Sequence, residues 1–317
     1  MEQNIDFAFE GFRIIRRQPV LIVFWGVLSL VLSGLMQWLM IGMMAPLLDQ
    51  MMAMAPSGTT PSPTAAADAT RDLALMVKML PAYGLLLALS VIFYAMINCA
   101  VYRAVFEHKN STFGYLRFGA DELRQLAVMI MFFLVFLVFY FAAALGAGLL
   151  IGLLTVVTRG SAAAAMAGVS VVMLLVFAGL IWFMVRMSFY TVQTFDTGRI
   201  NLFGSFKLTK GRFWILLAGY LVTLVMVALV SACFMAIFSA VTAAMGLNGV
   251  GLLGQMVGVG PKPVYSTLYA SPIMIGYTLS SAFFLTPLMI GLLTGAPAAA
   301  YRGFHGLTTR VKAESVF

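Results

Sequence analysis

From Leu126 to Val157 the chain runs without a single charged side chain, well beyond the ~18 apolar residues that suffice for a membrane span. That run decides most of what the protein can fold into. A bilayer core offers no water to a backbone N–H or C=O, so each crossing segment must satisfy its own backbone as a helix or join a closed barrel. Barrel strands show ~10-residue stretches of alternating polarity, and this run is apolar throughout, so helices are expected. Composition agrees, with 62% of 317 residues hydrophobic and 9% charged, against about 25% charged in ordinary soluble domains.

Six spans can be read: Val20–Met44, Pro81–Tyr102, a third from Leu126, a fourth ending near Arg186, Phe213–Ala244, and a sixth over about Ile273–Ala300. Only Thr158–Ser161 separates the third from the fourth, so these two read as a tight antiparallel hairpin. Loops are expected from Ala45 to Met79, around the low-complexity PSGTTPSPTAAADAT, and over the Gly-rich GLNGVGLLGQMVGVGPKP from Gly246. The first apolar run is too long for a cleavable signal peptide and lacks a small-residue cleavage site. Ahead of it, Ile5, Phe9, Phe12 and Ile15 fall near one helical face, with Asp6, Glu10, Arg13 and Arg17 on another. That is the pattern of a helix lying in the membrane interface. Only Arg16 breaks it.

Net charge is +8, and its distribution argues for membrane orientation rather than nucleic-acid binding. Fifteen of the 19 basic residues precede span one, join spans two and three or four and five, or follow span six. The other side holds Arg71, Lys78, Arg159 and Lys262. Positive residues collect on the cytoplasmic side, so both termini are expected there.

Three segments share the pattern F-x-x-[F/L]-[R/K]: Phe9–Arg13, Phe113–Arg117 and Phe203–Lys207. Each is followed by further basic residues and a span, and the even spans end alike, at Tyr102-Arg103, Arg186 and Tyr301-Arg302. The expectation is one six-helix membrane domain over residues 1–317, built as three hairpins, each preceded by an interfacial amphipathic helix. The repeat units would cover about residues 1–110, 111–197 and 198–317.

The stretch from Arg186 to Trp214 carries a resemblance. Arg186, Asp196 and the run GSFKLTKGRFW from Gly204 to Trp214 are similar to the signature of bacterial six-span proteins of the YciC-like family. They also resemble the membrane domain fused to some glycerophosphodiester phosphodiesterases. Ser205, Leu208, Thr209, Lys210, Gly211 and Trp214 match that signature. Phe206 stands where tryptophan is common, Asp196 replaces glutamate, and the usual proline between Arg186 and Asp196 is missing. The resemblance implies topology and no activity. The phosphodiesterase itself would be a separate barrel domain with paired histidines and carboxylates, whereas the histidines here are His108 and His305.

No nucleophile–base–orienter set can be assembled, and no phosphate loop, dinucleotide fingerprint or metal-ligand spacing is present. A non-enzyme without metal or cofactor is expected. Cys99 and Cys233 lie in separate apolar spans, which suggests no disulfide framework. Met36, Met40, Met43 and Met44 recur at helical spacing, which suits either copper(I) or, as expected here, apolar packing. The span centres hold Gln37, Asn98 and scattered Ser and Thr but no ionisable group, which points to helix–helix hydrogen bonding rather than ion-coupled transport.

Two functions remain. One is a non-enzymatic membrane protein of envelope or lipid homeostasis that contacts lipids, anionic ones above all, or a protein partner. The other is a transporter or channel for a small or amphipathic solute. The candidate contact residues are Arg103, Arg186, Asp196, Lys207, Lys210, Arg212, Trp214 and Arg302. The three span-end arginines either gather an anionic group or snorkel to the interface, with Arg186 paired to Asp196.

Overall fold

The computed structural model describes residues 5–54, 65–106, 112–158, 161–248 and 264–306, with Gly251 and Gly254. The Glu107-His108 pair, Arg159, Lys262, residues 56–64 and the basic tail beyond Gly306 lie outside the described residues. Every regular element within them is helical, and six helices are long and apolar enough to cross a membrane. In order the helices are α1 (Glu10–Arg17), α2 (Val20–Leu39), α3 (Ala45–Met54), α4 (Ala65–Val105), α5 (Ala120–Val157), α6 (Ala162–Met187), α7 (Tyr190–Thr197), α8 (Gly204–Leu208), α9 (Phe213–Ala244), α10 (Tyr265–Ala270), α11 (Pro272–Ser280) and α12 (Thr286–His305).

Where a loop was expected between Ala45 and Met79, the structure has helix over Ala45–Met54 and again from Ala65, on into α4. Two physical effects override the polar and proline signals there. The alanine-rich start of α4 has high intrinsic helix propensity. Met44, Met79 and Ala82 are buried against one another, with Met40, Leu47, Leu48 and Met51 packed around them, so both helical extensions have an apolar face to bury. Of the methionine series, Met40 and Met44 pack in this cluster as flexible thioethers filling an uneven core, whereas Met43 is exposed. Pro81 lies inside α4 without ending it, as apolar surroundings allow for membrane helices.

Ahead of the third span, where an interfacial helix was expected, the described residues instead make a left-handed turn, with positive φ at Phe113 (50°), Gly114 (66°) and Tyr115 (62°). Helix begins only at Ala120 and is continuous with the span. The second copy of the F-x-x-[F/L]-[R/K] pattern therefore falls on a turn.

The chain divides into two compact units. One comprises Gly11–Ile97 and Leu224–Leu293; the other comprises Met1–Glu10, Asn98–Thr223 and Thr294–Phe317. In the first of these, α2 packs closely on the π-helical turn Ser281–Leu285. Gln37 is satisfied inside it: its amide donates to the Tyr269 carbonyl (2.7 Å) and its carbonyl accepts from Thr278 Oγ1 (3.3 Å). Asp49 accepts the backbone N–H groups of Tyr265 (2.5 Å) and Ser266 (3.0 Å), capping the start of α10. In the other unit Thr294 Oγ1 donates to Asn98 Oδ1 (2.9 Å). Gln37, Thr278, Asn98 and Thr294 thus bond across helices as expected, whereas Thr223, Ser231 and Ser280 donate to carbonyls four residues back in their own helices.

Close approach in the unit of residues 11–97 and 224–293 depends on two glycines. A Cβ at Gly26 would lie 2.5 Å from the Phe283 carbonyl oxygen, and one at Gly11 would lie 2.6 Å from Leu292 Cα. Gly26→Ala and Gly11→Ala should each lower stability by about 1–3 kcal/mol through overpacking, read as a drop in melting temperature in detergent. Gly34→Ala, where an added Cβ meets nothing within 4 Å, should be neutral or slightly stabilising. Equal melting of all three would refute the close packing.

Candidate functional site

The candidate residues gather in the unit formed by Met1–Glu10, Asn98–Thr223 and Thr294–Phe317. Its centre is α7, where every residue from Thr191 to Asp196 is buried. Two tyrosines from span ends bond to it: Tyr102 donates to Thr191 Oγ1 (2.7 Å) and Tyr301 donates to Asp196 Oδ2 (2.8 Å). Tyr102 also tilts over Phe195, with ring centroids 5.5 Å apart. Asp196 is fully buried, which accounts for an acid whose role the sequence leaves unexplained. It is an acceptor built into the helix junction.

The three span-end arginines meet different fates. Arg103 is 5% exposed and donates to Glu122 Oε1 at 2.6 Å and to the Tyr115 carbonyl at 3.0 Å. Its guanidinium also lies over the Phe195 ring, and Asp121 stands 3.8 Å away. Glu122 uses its second oxygen to accept the Gly119 N–H at 2.9 Å, closing the first turn of α5. The left-handed turn at Phe113–Tyr115 has its reason here, since it presents the Tyr115 carbonyl to Arg103. Strain of that kind persists where surrounding contacts over-determine it.

Arg302 donates to Glu10 Oε1 at 3.2 Å and, through its other terminal nitrogen, to the Val105 carbonyl. Glu10 is itself buried. Arg103 and Arg302 are therefore each matched by a carboxylate from the segment that leads into an odd span.

Arg186 has no such match. Its guanidinium makes no ion pair or hydrogen bond with a described residue, its Nε is buried without a partner, and the group lies 5.5 Å over the Phe206 ring. The pairing with Asp196 anticipated from sequence is absent. The segment before span five does reach this position, but with hydroxyls: Ser205 Oγ donates to the Arg186 backbone carbonyl at 2.8 Å and accepts the Phe189 N–H at 3.1 Å, while Thr209 Oγ1 lies 3.2 Å from the same carbonyl and donates more closely to the Ser205 carbonyl at 2.8 Å. A carbonyl at the end of a helix wants donors, and these two leave the charge alone.

The other candidates sit around this third segment. Lys207 and Lys210 are exposed, and Trp214 is 76% exposed. Arg212 lies 4.7 Å over the Phe304 ring and donates to the Phe304 carbonyl at 3.3 Å. Phe7 packs edge-on against Tyr220 and Phe304, each at 6.2 Å, fastening the N-terminal turn. Sequence reasoning missed Glu10 and Glu122 as partners of arginines, and it missed Gln125, which is fully buried with both amide atoms unpartnered among the described residues. The acids could have been suspected from their place at the entrance of an odd span. Nothing in the sequence marks Gln125.

Breaking a buried charge pair by removing one partner costs about 3–5 kcal/mol. Glu122→Gln and Arg103→Gln should each lower stability on that scale, and the double variant should cost less than the two together, as read from thermal unfolding in detergent. Additive losses would show that the pair is not coupled. No family model, curated protein or solved structure matches this chain.

Proposed function

We propose that this chain is a non-enzymatic, multi-pass protein of the bacterial inner membrane that serves envelope or lipid homeostasis by holding an anionic group at Arg186. The observation that carries the reading is the contrast among three arginines at equivalent places. Two are neutralised by carboxylates, and the third is half-buried and, among the described residues, meets no carboxylate; the segment that reaches it carries the exposed Lys207, Lys210 and Trp214. A desolvated guanidinium without a counter-charge is costly, and a phosphate or carboxylate from outside would relieve it.

The contacts also support a threefold repeat. Segment one reaches the end of span six, segment two reaches the end of span two, and segment three reaches the end of span four. Each segment meets the even span before it in cyclic order, as three copies of one unit would. The resemblance to YciC-like six-span proteins fits the same layout. Internal pairing of Gln37 and Asn98 supports a scaffold rather than a polar conduit for solutes. With both termini cytoplasmic, Arg186 belongs to the inner leaflet, where anionic lipid attracts basic clusters by about 1 kcal/mol per charge.

In native mass spectrometry from phosphatidylglycerol nanodiscs, Arg186→Gln should lose at least about tenfold of the retained lipid, the equivalent of one charge-assisted hydrogen bond. Retention equal to wild type would overturn the reading. For orientation, a fluorescent protein fused at the C-terminus should be bright and a periplasm-dependent phosphatase there inactive; the opposite pair would invert the topology.

A further inference from the structure

Arg186 is the last member of a stripe on α6. Val172, Val176, Gly179, Phe183 and Arg186 follow one another at spacings of three and four, so they share one helix face. On α5, Phe139, Ala143, Gly146 and Leu150 do the same. The two stripes face each other in antiparallel register: Phe139 stacks on Phe183 with centroids 4.4 Å apart, and Phe132 stacks on Tyr190, also at 4.4 Å. Beyond Phe139 the two faces part. They leave a cleft of about 260 Å³ lined only by apolar side chains and two glycines, Gly146 and Gly179. The opening is real space at both glycines, because a Cβ added to either would meet nothing within 4 Å.

The cleft and the unmatched cation are joined by rings. Arg186 lies over Phe206, Phe206 meets Phe183 edge-on at 6.3 Å, and Phe183 stacks on Phe139, which lines the cleft. At 1.5 Å rise per residue, Gly179 lies about 10 Å and Val172 about 21 Å along α6 from Arg186. A leaflet's share of the ~30 Å hydrocarbon core is about 15 Å. The cleft thus starts about 10 Å along the helix from the cation, inside the depth of one leaflet, and runs on past its inner limit, within reach of an acyl chain anchored at Arg186.

We propose that the cleft between α5 and α6 holds one acyl chain of an anionic phospholipid whose phosphate is bound by Arg186. This rests on the reading of Arg186 as an anion-holding group and adds the identity of the ligand. Charge complementarity selects the occupant: a second copy's apolar helix would fill the cleft and leave Arg186 unmatched, whereas a free phosphate would match Arg186 and leave the cleft empty. A phospholipid does both. The stacked rings between them contribute flat apolar surface along which a chain can lie.

The test fills the cleft without touching the cation. Gly179→Leu places a side chain in open space, so the variant should melt within a few degrees of wild type. In phosphatidylglycerol nanodiscs it should lose at least about tenfold of the retained lipid, because the leucine side chain occupies the space the acyl chain would fill. Its stabilisation by inorganic phosphate, followed as a shift in melting temperature, should equal that of wild type. If Gly179→Leu retains lipid while Arg186→Gln loses it, the chain lies elsewhere and only the wider reading survives. If Arg186→Gln retains lipid as well, both fail. Inorganic phosphate that displaces the lipid completely at millimolar concentration would show a bare-anion site, and a wild-type dimer converted to monomer by Gly179→Leu would show a protein occupant; either overturns the proposal. Should the variant misfold, wild type with phosphatidylglycerol carrying a photoreactive group midway along one chain decides the matter. Crosslinks should map to Phe139–Leu150 or Val172–Gly179, and labelling confined to other segments would refute it.

Discussion

A guanidinium taken out of water must be matched, and in the unit that carries the candidate site that need sets the placement of nearly everything else. Burying an ion costs several kcal/mol even after relaxation, so the structure around it must supply charge and hydrogen bonds with good geometry. Arg103 obtains them from Glu122 and the Tyr115 carbonyl, which fixes where α5 may begin and forces the chain before it into a left-handed turn. Arg302 obtains them from Glu10 and the Val105 carbonyl, which ties the first helix to the last. The tyrosines beside these two arginines bond to α7. The end of α4 and the end of α12 therefore meet one short helix through paired contacts, and Asp196 is part of that joint.

Against this background the lack of an acid for Arg186 is informative. The third segment replaces the acid with Ser205, whose hydroxyl caps the end of α6 instead, with Thr209 beside it. Its own charges, Lys207, Lys210 and Arg212, are all basic. A protein that needed Arg186 only for folding had the Glu10 and Glu122 solutions available to it.

Much of the layout was legible from residues alone. The charge-free run from Leu126 to Val157 demanded a helix, and the sparse Gln37 and Asn98 were correctly read as helix–helix links. Legibility failed wherever a long-range partner overrode a local signal. Ala45–Met54 and the start of α4 looked like loop until Met44 and Met79 found each other. Phe113–Arg117 matched a helical pattern that the Arg103 contact does not allow. Arg186 and Asp196, ten positions apart and opposite in charge, suggested a pair; Asp196 instead turned inward to Tyr301.

The sequence by itself determined that this chain crosses a membrane six times as helices, because apolar length and unsatisfied backbone in lipid leave no other choice, and those are properties of single segments. Tertiary structure decided which charges are silent and which are not. Whether an arginine is neutral in its surroundings depends on a carboxylate that may be 19 residues away, as for Arg103 and Glu122, or 292 away, as for Arg302 and Glu10. Coulomb attraction acts through space and is blind to sequence separation, so the isolation of Arg186 and the apolar cleft below it emerge only once the helices are packed.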